Sequence, residues 1–341
     1  MNSHLDPAPL LLAAATLRTV DPVQRTVDPS LVCGTGPAYR TDGAHLDQYD
    51  GIHLDRPARP SYPAPVKATA FTETPSGLVA WSGVSLLDGR TLIDVILTGL
   101  KGLSGNQKTG KTIQAWIIRH DKDPRDAVAE GTELGICGDC KHRPRCEDCD
   151  RTGPYFHGAR CEDCGGRMVR ACYVKVFHGP TTAYKVRHGL KGPWARNPWY
   201  PMATPADLEQ IRAKGAVIRF GAYGDPAAVP ARVWETLSGA CPRWLGYTHA
   251  WRTCDPALRA YCMASVDSPA EYAEAVAAGW RTFRVRGKDQ PLIKGEIACP
   301  ASAEAGKVAV CADCSLCMGT SRKAKQIAII AHGMGAGAFK G

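Results

Sequence analysis

The sequence lacks an apolar run long enough to cross a membrane. The one apolar run near its start, residues 10–17, is about half the length of a membrane-spanning helix. The residues before it, Met-Asn-Ser-His-Leu-Asp, carry no basic group of the kind that opens a secretory signal. We therefore expect no signal peptide, no transmembrane helix and no membrane partner.

Acidic residues are missing between Asp163 and Asp207, in a chain whose net charge is +9. Cations contact a phosphate backbone and aromatic rings stack on unpaired bases, so a basic stretch rich in rings predicts contact with single-stranded nucleic acid. The alternative is that the rings are core and the basic groups are solvated. The basic residues of this stretch are Arg167, Arg170, Lys175, Lys185, Arg187, Lys191 and Arg196.

The cysteines lack the pattern of a disulfide scaffold. There are fifteen, an odd number, in 341 residues, and most fall into C-x-x-C pairs. Neighbouring C-x-x-C thiols chelate metal ions well and make poor structural cross-links. We therefore expect thiolate-ligated metal centres in a protein of the reducing cytoplasm, with Cys33, Cys241, Cys254 and Cys262 as ordinary thiols.

Two C-x-x-C knuckles form the most specific motif. Cys146, Cys149, Cys161 and Cys164 are separated by a short, polar, glycine-containing segment. Four thiolates at this spacing can surround one Zn²⁺ ion tetrahedrally, and they leave no open position for catalysis. The motif predicts a structural zinc ribbon over residues 146–164.

A second set of cysteines flanks this ribbon. Cys137 and Cys140 precede it and Cys172 follows it, so removal of the ribbon as an insertion brings the three together. Three thiolates leave a fourth position for a substrate or cofactor, and we predict an iron–sulfur centre here. The alternative is a second zinc site completed by His142 or His178.

A third set lies near the C-terminus. Cys299-Pro precedes Cys311, Cys314 and Cys317, and C-x2-C-x2-C spacing with a remote Cys-Pro is a common way to hold a [4Fe–4S] cluster. Zinc is the alternative metal, with His332 as a possible fourth ligand.

The chain divides into a tail and a folded domain. Residues 1–75 hold ten of the 25 prolines without sustained periodicity, which predicts a disordered Pro-rich tail. Residues 76–341 form the predicted metal-binding β/α domain, in which strands alternate with short helices from residue 204 onward. Such alternation predicts an α/β fold with a parallel sheet, arranged as a β/α barrel or partial barrel.

Polar residues follow the predicted strands of this domain. Asp225 follows the first strand, His249 and Arg252 the second, and Asp267 the third. In parallel β/α folds the chemistry lies at the carboxyl ends of the strands. We predict Asp225 or His249 as a base and Arg252 as a phosphate ligand, with Asp267 as a further candidate or as a helix cap.

Residues 105–112 satisfy the phosphate-loop pattern G-x-x-x-x-G-K-T. A phosphate loop joins a strand to a long helix, whereas the residues after Thr112 alternate like a strand. We interpret the segment as a tight basic turn rather than as a nucleotide-hydrolysis motif.

Several of these motifs, in this order, resemble a family of cysteine-rich tailed-phage proteins. They are Gly-Asn-x-Lys-Thr-Gly at 105–110, C-x-x-C-x-His-Arg at 137–143, Ala-Cys-Tyr-Val at 171–174, Gly-Asp at 224–225, Tyr-Thr-His at 247–249 and C-x2-C-x2-C at 311–317. The resemblance covers about residues 100–333 and implies that the ribbon is an insertion and that the protein acts in the host cytoplasm.

Two enzyme groups show a more distant, fold-level resemblance. The Cys-Tyr-Val element and the predicted barrel resemble radical S-adenosylmethionine enzymes, although C-x2-C with a remote Cys172 replaces their C-x3-C-x2-C. That resemblance implies a [4Fe–4S] cluster and S-adenosylmethionine at Cys137, Cys140 and Cys172. The barrel also resembles tRNA-guanine transglycosylases, which implies a Cys3His zinc site and Asp225 as a nucleophile.

Together these features predict a phage-encoded, cysteine-ligated metalloenzyme of the iron–sulfur or radical type that modifies nucleic acid or a nucleotide-derived substrate. One alternative is a zinc-supported base-exchange enzyme on DNA or RNA, with Asp225 as its nucleophile. The other is a non-catalytic nucleic-acid-binding protein with structural zinc.

Overall fold

A computed structural model describes residues 76–190, 200–333 and 335–340. The tail predicted over residues 1–75 lies outside these ranges, as do Lys191 and Arg196. The first strand of the described chain begins at Gly77. The first four strands are β1 (Gly77–Val84), β2 (Leu92–Thr98), β3 (Ser104–Asn106) and β4 (Gly110–Arg119).

The middle of the described chain carries short helices and a small hairpin. Helix α1 begins after Asp123, whose carboxylate accepts the Arg125 N–H, and proline occupies its first turn. The elements are α1 (Pro124–Ala129), α2 (Leu134–Cys137), β5 (Arg145–Cys146), β6 (Met168–Val169) and α3 (Gly179–Arg187).

From residue 204 the predicted alternation of helices and strands is confirmed. Thr204 and Asp207 form a reciprocal capping box, and the Ser268 hydroxyl accepts the Glu271 N–H at the start of a later helix. The elements are α4 (Pro205–Ala213), β7 (Val217–Tyr223), α5 (Ala231–Ala240), β8 (Arg243–Leu245), β9 (Tyr247–Thr248), β10 (Met263–Val266), α6 (Pro269–Ala277), β11 (Thr282–Arg286), β12 (Glu296–Ala298), α7 (Cys311–Cys314) and β13 (Gln326–Ile330).

The strands form two larger sheets. One has the order β1-β2-β4-β7-β8, with β3 added on β4, and the other has the order β12-β13-β11-β10-β9. The pairs from β4 through β8 and all pairs of the second sheet are parallel, which confirms the predicted α/β class. Only Gly246 separates β8 from β9, so the two sheets adjoin along the chain.

A large apolar core packs against the first sheet. Trp234 of α5 is fully buried beside Phe220 of β7, with ring centroids 4.8 Å apart, and its indole N–H donates to the Pro226 carbonyl at 2.9 Å. This core fixes the loop that follows β7, where the predicted site residue Asp225 lies. None of the helices in the described ranges is long and apolar enough to span a bilayer.

Strand β11 separates an apolar environment from a charged one. Phe283 and Val285 line a cavity on one face, whereas Thr282, Arg284 and Arg286 are buried on the other. Arg284 donates from Nε and Nη2 to both carboxylate oxygens of Glu296, at 2.8 and 2.7 Å, and both side chains are fully buried. Arg286 also forms an ion pair, with Glu304, so this strand-end arginine does not face the cavity.

The G-x-x-x-x-G-K-T segment is a β hairpin. Strands β3 and β4 pair antiparallel around a turn at residues 107–109, and β4 continues from Gly110 without a helix. The prediction of a tight turn followed by a strand is confirmed. Gly110 has φ +71°, and a Cβ there would lie 2.8 Å from the Val310 side chain, so the turn packs closely on the chain before α7.

Candidate metal centres and the adjoining cavities

The ribbon brings its four predicted thiols together. The Sγ atoms of Cys146 and Cys164 are 3.4 Å apart, those of Cys149 and Cys161 are 3.6 Å apart, and those of Cys149 and Cys164 are 3.5 Å apart. All four lie within 4.8 Å of one another. Sulfurs around one tetrahedral zinc ion are separated by about 3.8 Å, given Zn–S bonds of about 2.3 Å. This cluster is therefore compatible with binding a metal ion.

Each knuckle of the ribbon turns through a left-handed residue. Asp150 (φ +61°) and Gly165 (φ +72°) stand four residues after Cys146 and Cys161, and their N–H groups donate back to the carbonyls of those cysteines. The N–H groups of Cys164 and Asp163 also lower the pKa of the Cys161 thiol to about 7. The turn geometry thus favours the thiolate at Cys161. At Cys164 the Gly166 N–H lowers the pKa, but contacts with the Cys146 and Cys149 thiols raise it to about 12, so the full set of thiolates needs the charge of a metal ion.

Little besides a metal ion can stabilise the ribbon. Its own buried apolar cluster consists of Cys146, Ala159, Cys161 and Met168, two of which are metal-ligand candidates. Its strands β5 and β6 pair over only two residues. A bound ion would supply the folding free energy that so small a core lacks.

Cys137, Cys140 and Cys172 form a second group of thiols, here called the thiol triad. The Cys172 N–H donates to the His142 carbonyl at 3.0 Å, and the Cys140 N–H donates to the Cys137 carbonyl at 3.2 Å. The chain therefore leaves the triad after residue 142 and returns to it at residue 172, with the ribbon between.

Charged groups surround the thiol triad. Burial raises the pKa of Cys137 well above its ordinary value, and the neighbouring thiols Cys140 and Cys172 add to the effect. Burial also raises the pKa of Cys172, and this effect outweighs the nearby guanidinium of Arg170, which lowers the pKa. Thiolates in such a site need a positive partner, and a bound metal centre provides one.

His249 lies beside the triad at the end of β9. Burial lowers its pKa, but the Cys140 thiolate and the Asp225 carboxylate outweigh burial and raise the pKa well above its ordinary value. Its Nδ1 is 3.7 Å from Asp225 Oδ2, whereas its Nε2 is shielded from solvent and has no hydrogen-bond partner among the described residues. The unpaired nitrogen is therefore the free chemical group of this side chain.

Asp225 positions the chain around His249. Its Oδ1 accepts the Ala227 N–H at 2.9 Å and its Oδ2 accepts the His249 N–H at 2.7 Å. The carboxylate is 5 % exposed and does not line the cavities described below. Both oxygens are occupied by backbone donors, so we interpret Asp225 as a positioning residue.

Asp225→Asn should lower the free energy of unfolding by about 1–3 kcal/mol, because an amide offers one acceptor oxygen where two buried N–H groups need acceptors. Asp255 supplies a matched control. It stands in the same Asp-Pro-Ala sequence and accepts only the Ala257 N–H, at an exposed site. Asp255→Asn should change urea-induced unfolding little, and equal losses in the two variants would contradict the positioning role.

The two remaining predicted catalytic residues have other partners. Asp267 Oδ2 is 3.3 Å from His142 Nε2, and the His142 ring meets the His249 ring edge-on at 5.2 Å. Arg252 donates to both oxygens of Glu274, at 2.8 and 2.6 Å, and covers the Trp251 ring. Asp267 thus joins the histidines beside the triad, while Arg252 is held by a carboxylate.

Cys299, Cys311, Cys314 and Cys317 form a third group, here called the C-terminal thiols. The four thiols interact electrostatically with one another and line a small cavity of about 20 Å³. The Cys311 and Ala312 N–H groups donate to the carbonyls of Lys108 and Thr109, at 3.0 and 2.9 Å. The group thus connects the β3–β4 turn to the end of β12.

The hydrogen bonds of His332 go to groups other than the C-terminal thiols. Its Nδ1 donates to the Ile330 carbonyl at 3.0 Å, so its Nε2 accepts from Lys108 Nζ at 2.8 Å. Both ring nitrogens are occupied, which disfavours His332 as a metal ligand in this conformation. Lys108 itself lies near Cys299, Cys311 and Cys317. Burial lowers the pKa of Lys108, and this effect outweighs the three thiols, whose negative charge would raise it.

The spacing of the thiols differs between the groups. Among the described residues, groups of three or more candidate ligand atoms that all lie within 4.8 Å of one another occur only in the ribbon and in the set Asp94, His120 and His188. The triad and the C-terminal thiols are therefore spaced more widely than the ligands of one tetrahedral ion.

The set Asp94, His120 and His188 is absent from the sequence predictions because its members are scattered along the chain. Asp94 is fully buried and its Oδ2 accepts from His120 Nδ1 at 3.0 Å and from Arg187 Nε at 3.1 Å. A guanidinium already neutralises this carboxylate, so we interpret the set as a structural ion-pair network.

Two cavities meet beside the triad, and His249 and Ser265 line both. The first, of about 340 Å³, lies between the triad and the C-terminal thiols. The second, of about 540 Å³, is lined by Cys140 together with Arg252 and Asp267. Three of the four predicted catalytic residues thus surround one space that reaches a triad thiol.

The first cavity contains a residue that the sequence predictions missed. Arg219 lies in the middle of β7, and its Nη2 donates to the Tyr173 hydroxyl at 2.5 Å. A single arginine in the otherwise apolar strand Val-Ile-Arg-Phe-Gly-Ala-Tyr was the available signal.

The predicted nucleic-acid-binding residues fall into two groups. Arg170 donates to the carbonyls of Cys172 and Val174, and Arg187 pairs with Asp94, so these two stabilise the interior. Lys175 is exposed, Lys185 is half-buried, and Arg167 pairs with Glu147 on the ribbon. Exposed rings accompany the surface group at Phe156 and Phe177.

Comparison with protein-family models, with curated proteins and with solved structures gave no match to this chain. Its chemistry is therefore argued from its own residues.

Proposed function

We propose that this protein is a cysteine-ligated metalloenzyme with an iron–sulfur cluster on the thiol triad, acting on nucleic acid or a nucleotide-derived substrate. The observation that carries the proposal is the position of the triad. Three partly buried thiols, whose sulfurs do not all lie within 4.8 Å of one another, stand beside two cavities that share His249.

The strand arrangement supports a site of this kind. β4, β7 and β8 run parallel in one sheet, and β9, β10, β11, β13 and β12 continue parallel in the next, with one residue between β8 and β9. We propose that these strands form a partial β/α barrel. Asp225, His249 and Asp267 then follow three of its strands at their carboxyl ends, where such folds carry their chemistry.

The donor set fits a cluster with an open position. Cys137, Cys140 and Cys172 would hold it, and a [4Fe–4S] cluster on three thiolates supplies one-electron chemistry to a cofactor such as S-adenosylmethionine at the remaining iron. Arg170 places positive charge beside Cys172, and His142 connects the triad to Asp267.

His249 is the group best placed to exchange a proton with a bound substrate. Asp225 fixes its backbone, its ring borders both cavities, and its Nε2 is unpaired. A histidine held in this way can act as a general acid or base.

The base-exchange alternative is less well supported. It needs Asp225 as a nucleophile, and both oxygens of this carboxylate accept backbone N–H groups outside the cavities. It also needs His332 as a zinc ligand, and both nitrogens of His332 are bound elsewhere.

Exposed cations and aromatic rings on the protein surface support nucleic acid as a ligand. Lys175 and Phe177 are exposed on one segment, and Phe156 is 60 % exposed on the ribbon. Exposed rings beside cations are the groups that bind unpaired bases and phosphates.

The metal content of protein purified without oxygen tests the proposal. We expect brown protein with about four irons and matching sulfide for each cluster, hence about eight irons, and with zinc in the ribbon. Cys140→Ala should remove the iron of the triad alone, and Cys317→Ala that of the C-terminal thiols alone. Cys254→Ala, which alters a thiol outside all three groups, should retain both.

Colourless protein with about two or three zinc ions and no iron would refute the iron–sulfur assignment. Iron that survives Cys140→Ala undiminished would refute the triad as its site. The first result would favour the non-catalytic zinc protein or the base-exchange enzyme, and the second would place the iron at the C-terminal thiols.

A further inference from the structure

The lining of the first cavity is positively charged and contains no carboxylate. Among the described residues around it, Lys108 and Arg219 are cationic, three are histidines, and none is aspartate or glutamate. Arg219 forms no ion pair with a carboxylate in the described part of the chain. A cavity lined by cations and by no carboxylates favours a negatively charged ligand.

The two cations have different surroundings. Lys108 lies against the C-terminal thiols and donates to His332, so its charge balances thiolates. Arg219 has only the Tyr173 hydroxyl as a hydrogen-bond partner among the described residues, and that contact uses one of its five N–H donors. Of these two cations, Arg219 is therefore the one with N–H donors available to hold an anion.

Aromatic rings form much of the remaining wall. Tyr247 and Phe283 lie together with centroids 4.5 Å apart, and Phe339 stacks on His142 at 5.9 Å. Leu245, Val285 and Ile329 complete an apolar surface. Such walls suit a flat, weakly polar ring.

The size of the cavity limits the ligand. Its volume of about 340 Å³ is at the low end of small-molecule sites, which run from about 300 to 1,000 Å³. A molecule of mononucleotide size can fill it, whereas a polynucleotide strand cannot.

We propose that this cavity binds a free small molecule that carries one anionic group, held by Arg219, and one flat ring, held among Tyr247, Phe283 and Phe339. This deepens the proposed function, on which it rests, by naming the class of substrate as a small ring-bearing anion. A nucleoside monophosphate and an aromatic carboxylate share this chemistry.

Isothermal titration calorimetry on the full chain, as purified without oxygen, tests the assignment. The probes are adenosine 5′-monophosphate, thymidine 5′-monophosphate and indole-3-carboxylate, with adenosine lacking the anion and ribose 5-phosphate lacking the ring. We expect at least one ring-bearing anion to bind about tenfold or more tightly than the matched probe that lacks one feature. Tighter binding of the monophosphates than of indole-3-carboxylate identifies the ligand as a nucleotide, and the reverse order identifies it as an aromatic carboxylate.

Variants connect binding to the named residues. Arg219→Gln should weaken binding about 10- to 100-fold, because a charge-assisted hydrogen bond to the anion is lost. Arg212→Gln is the control, since Arg212 lies exposed on α4 and pairs with Glu209. Tyr173→Phe keeps the ring and the charge of Arg219 and should weaken binding about 3- to 10-fold, so the assignment stays testable if Arg219→Gln does not fold.

The outcomes separate this assignment from the proposed function. Iron-loaded protein that binds a single-stranded 12-mer but no ring-bearing anion would overturn the assignment and leave the enzyme proposal standing. Zinc-only protein that binds a mononucleotide through Arg219 would do the opposite. Equal affinity of the wild type and Arg219→Gln would overturn the assignment whatever the metal.

Discussion

Cys161→Ser is expected to release the metal ion of the ribbon and to unfold the segment around it. A structural zinc site contributes about 10–16 kcal/mol of apparent binding free energy, which is far more than a four-residue apolar cluster can replace. Zinc content should fall by about one ion per chain. Trypsin should then cut after Arg151 and Arg160, both of which lie inside the ribbon.

The control is Cys254→Ser, at a cysteine outside the three thiol groups. It should keep its zinc and its resistance to trypsin. If Cys161→Ser retained wild-type zinc content and wild-type digestion, the ribbon would not be a zinc site. Loss of zinc without new cleavage would show that the main domain, which contacts the ribbon through the Tyr155 N–H and the Val128 carbonyl, holds it in place.

Arg284→Met should lower the free energy of unfolding by about 3–5 kcal/mol, because it leaves Glu296 buried without a cation. The ion pair reaches across β13, from β11 to β12, over the small side chain of Ala328. Urea-induced unfolding, followed by circular dichroism, gives the change directly. Weaker packing of β12 should accompany the loss.

The second step of this test separates the lost ion pair from lost packing. The double variant Arg284→Met, Glu296→Leu removes both charges and should recover most of the lost stability, since an apolar pair of similar volume replaces the ion pair. Arg243→Met should cost little, because within the described chain Arg243 forms no ion pair and donates only to the Asp313 carbonyl. A double variant less stable than Arg284→Met would mean that the loss of stability comes from poor side-chain packing and not from the unpaired charge of Glu296.

Helices and strands were predictable because the residues that start and end each element are neighbours in the sequence. The Thr204-Pro205 and Ser268-Pro269 starts became capped helices, and Gly215 and Gly279 end them with φ of +58° and +79°. The division at Gly246 between β8 and β9 has no such local signal, since the strand residues on its two sides are alike. How two sheets close around a cavity depends on long-range pairing, which no local pattern records.

The site was predictable to different degrees. The C-x-x-C spacing of the ribbon is local, and its four thiols do meet. The roles of Arg170, Arg187 and Arg252 were not predictable, because an arginine's partners are decided by distant residues such as Asp94. Arg219 was not predictable as a cavity residue, because a lone arginine in a strand does not reveal what its side chain faces.

The hydrogen bond between the Cys172 N–H and the His142 carbonyl has an evolutionary consequence. Because the chain departs from and returns to the triad at one point, the ribbon between them, residues 146–164, has the arrangement of an exchangeable module. A lineage can gain, lose or replace that module in a single genetic step while the three thiols keep their places. The same junction gives protein engineers a position at which to attach a reporter or a different recognition domain.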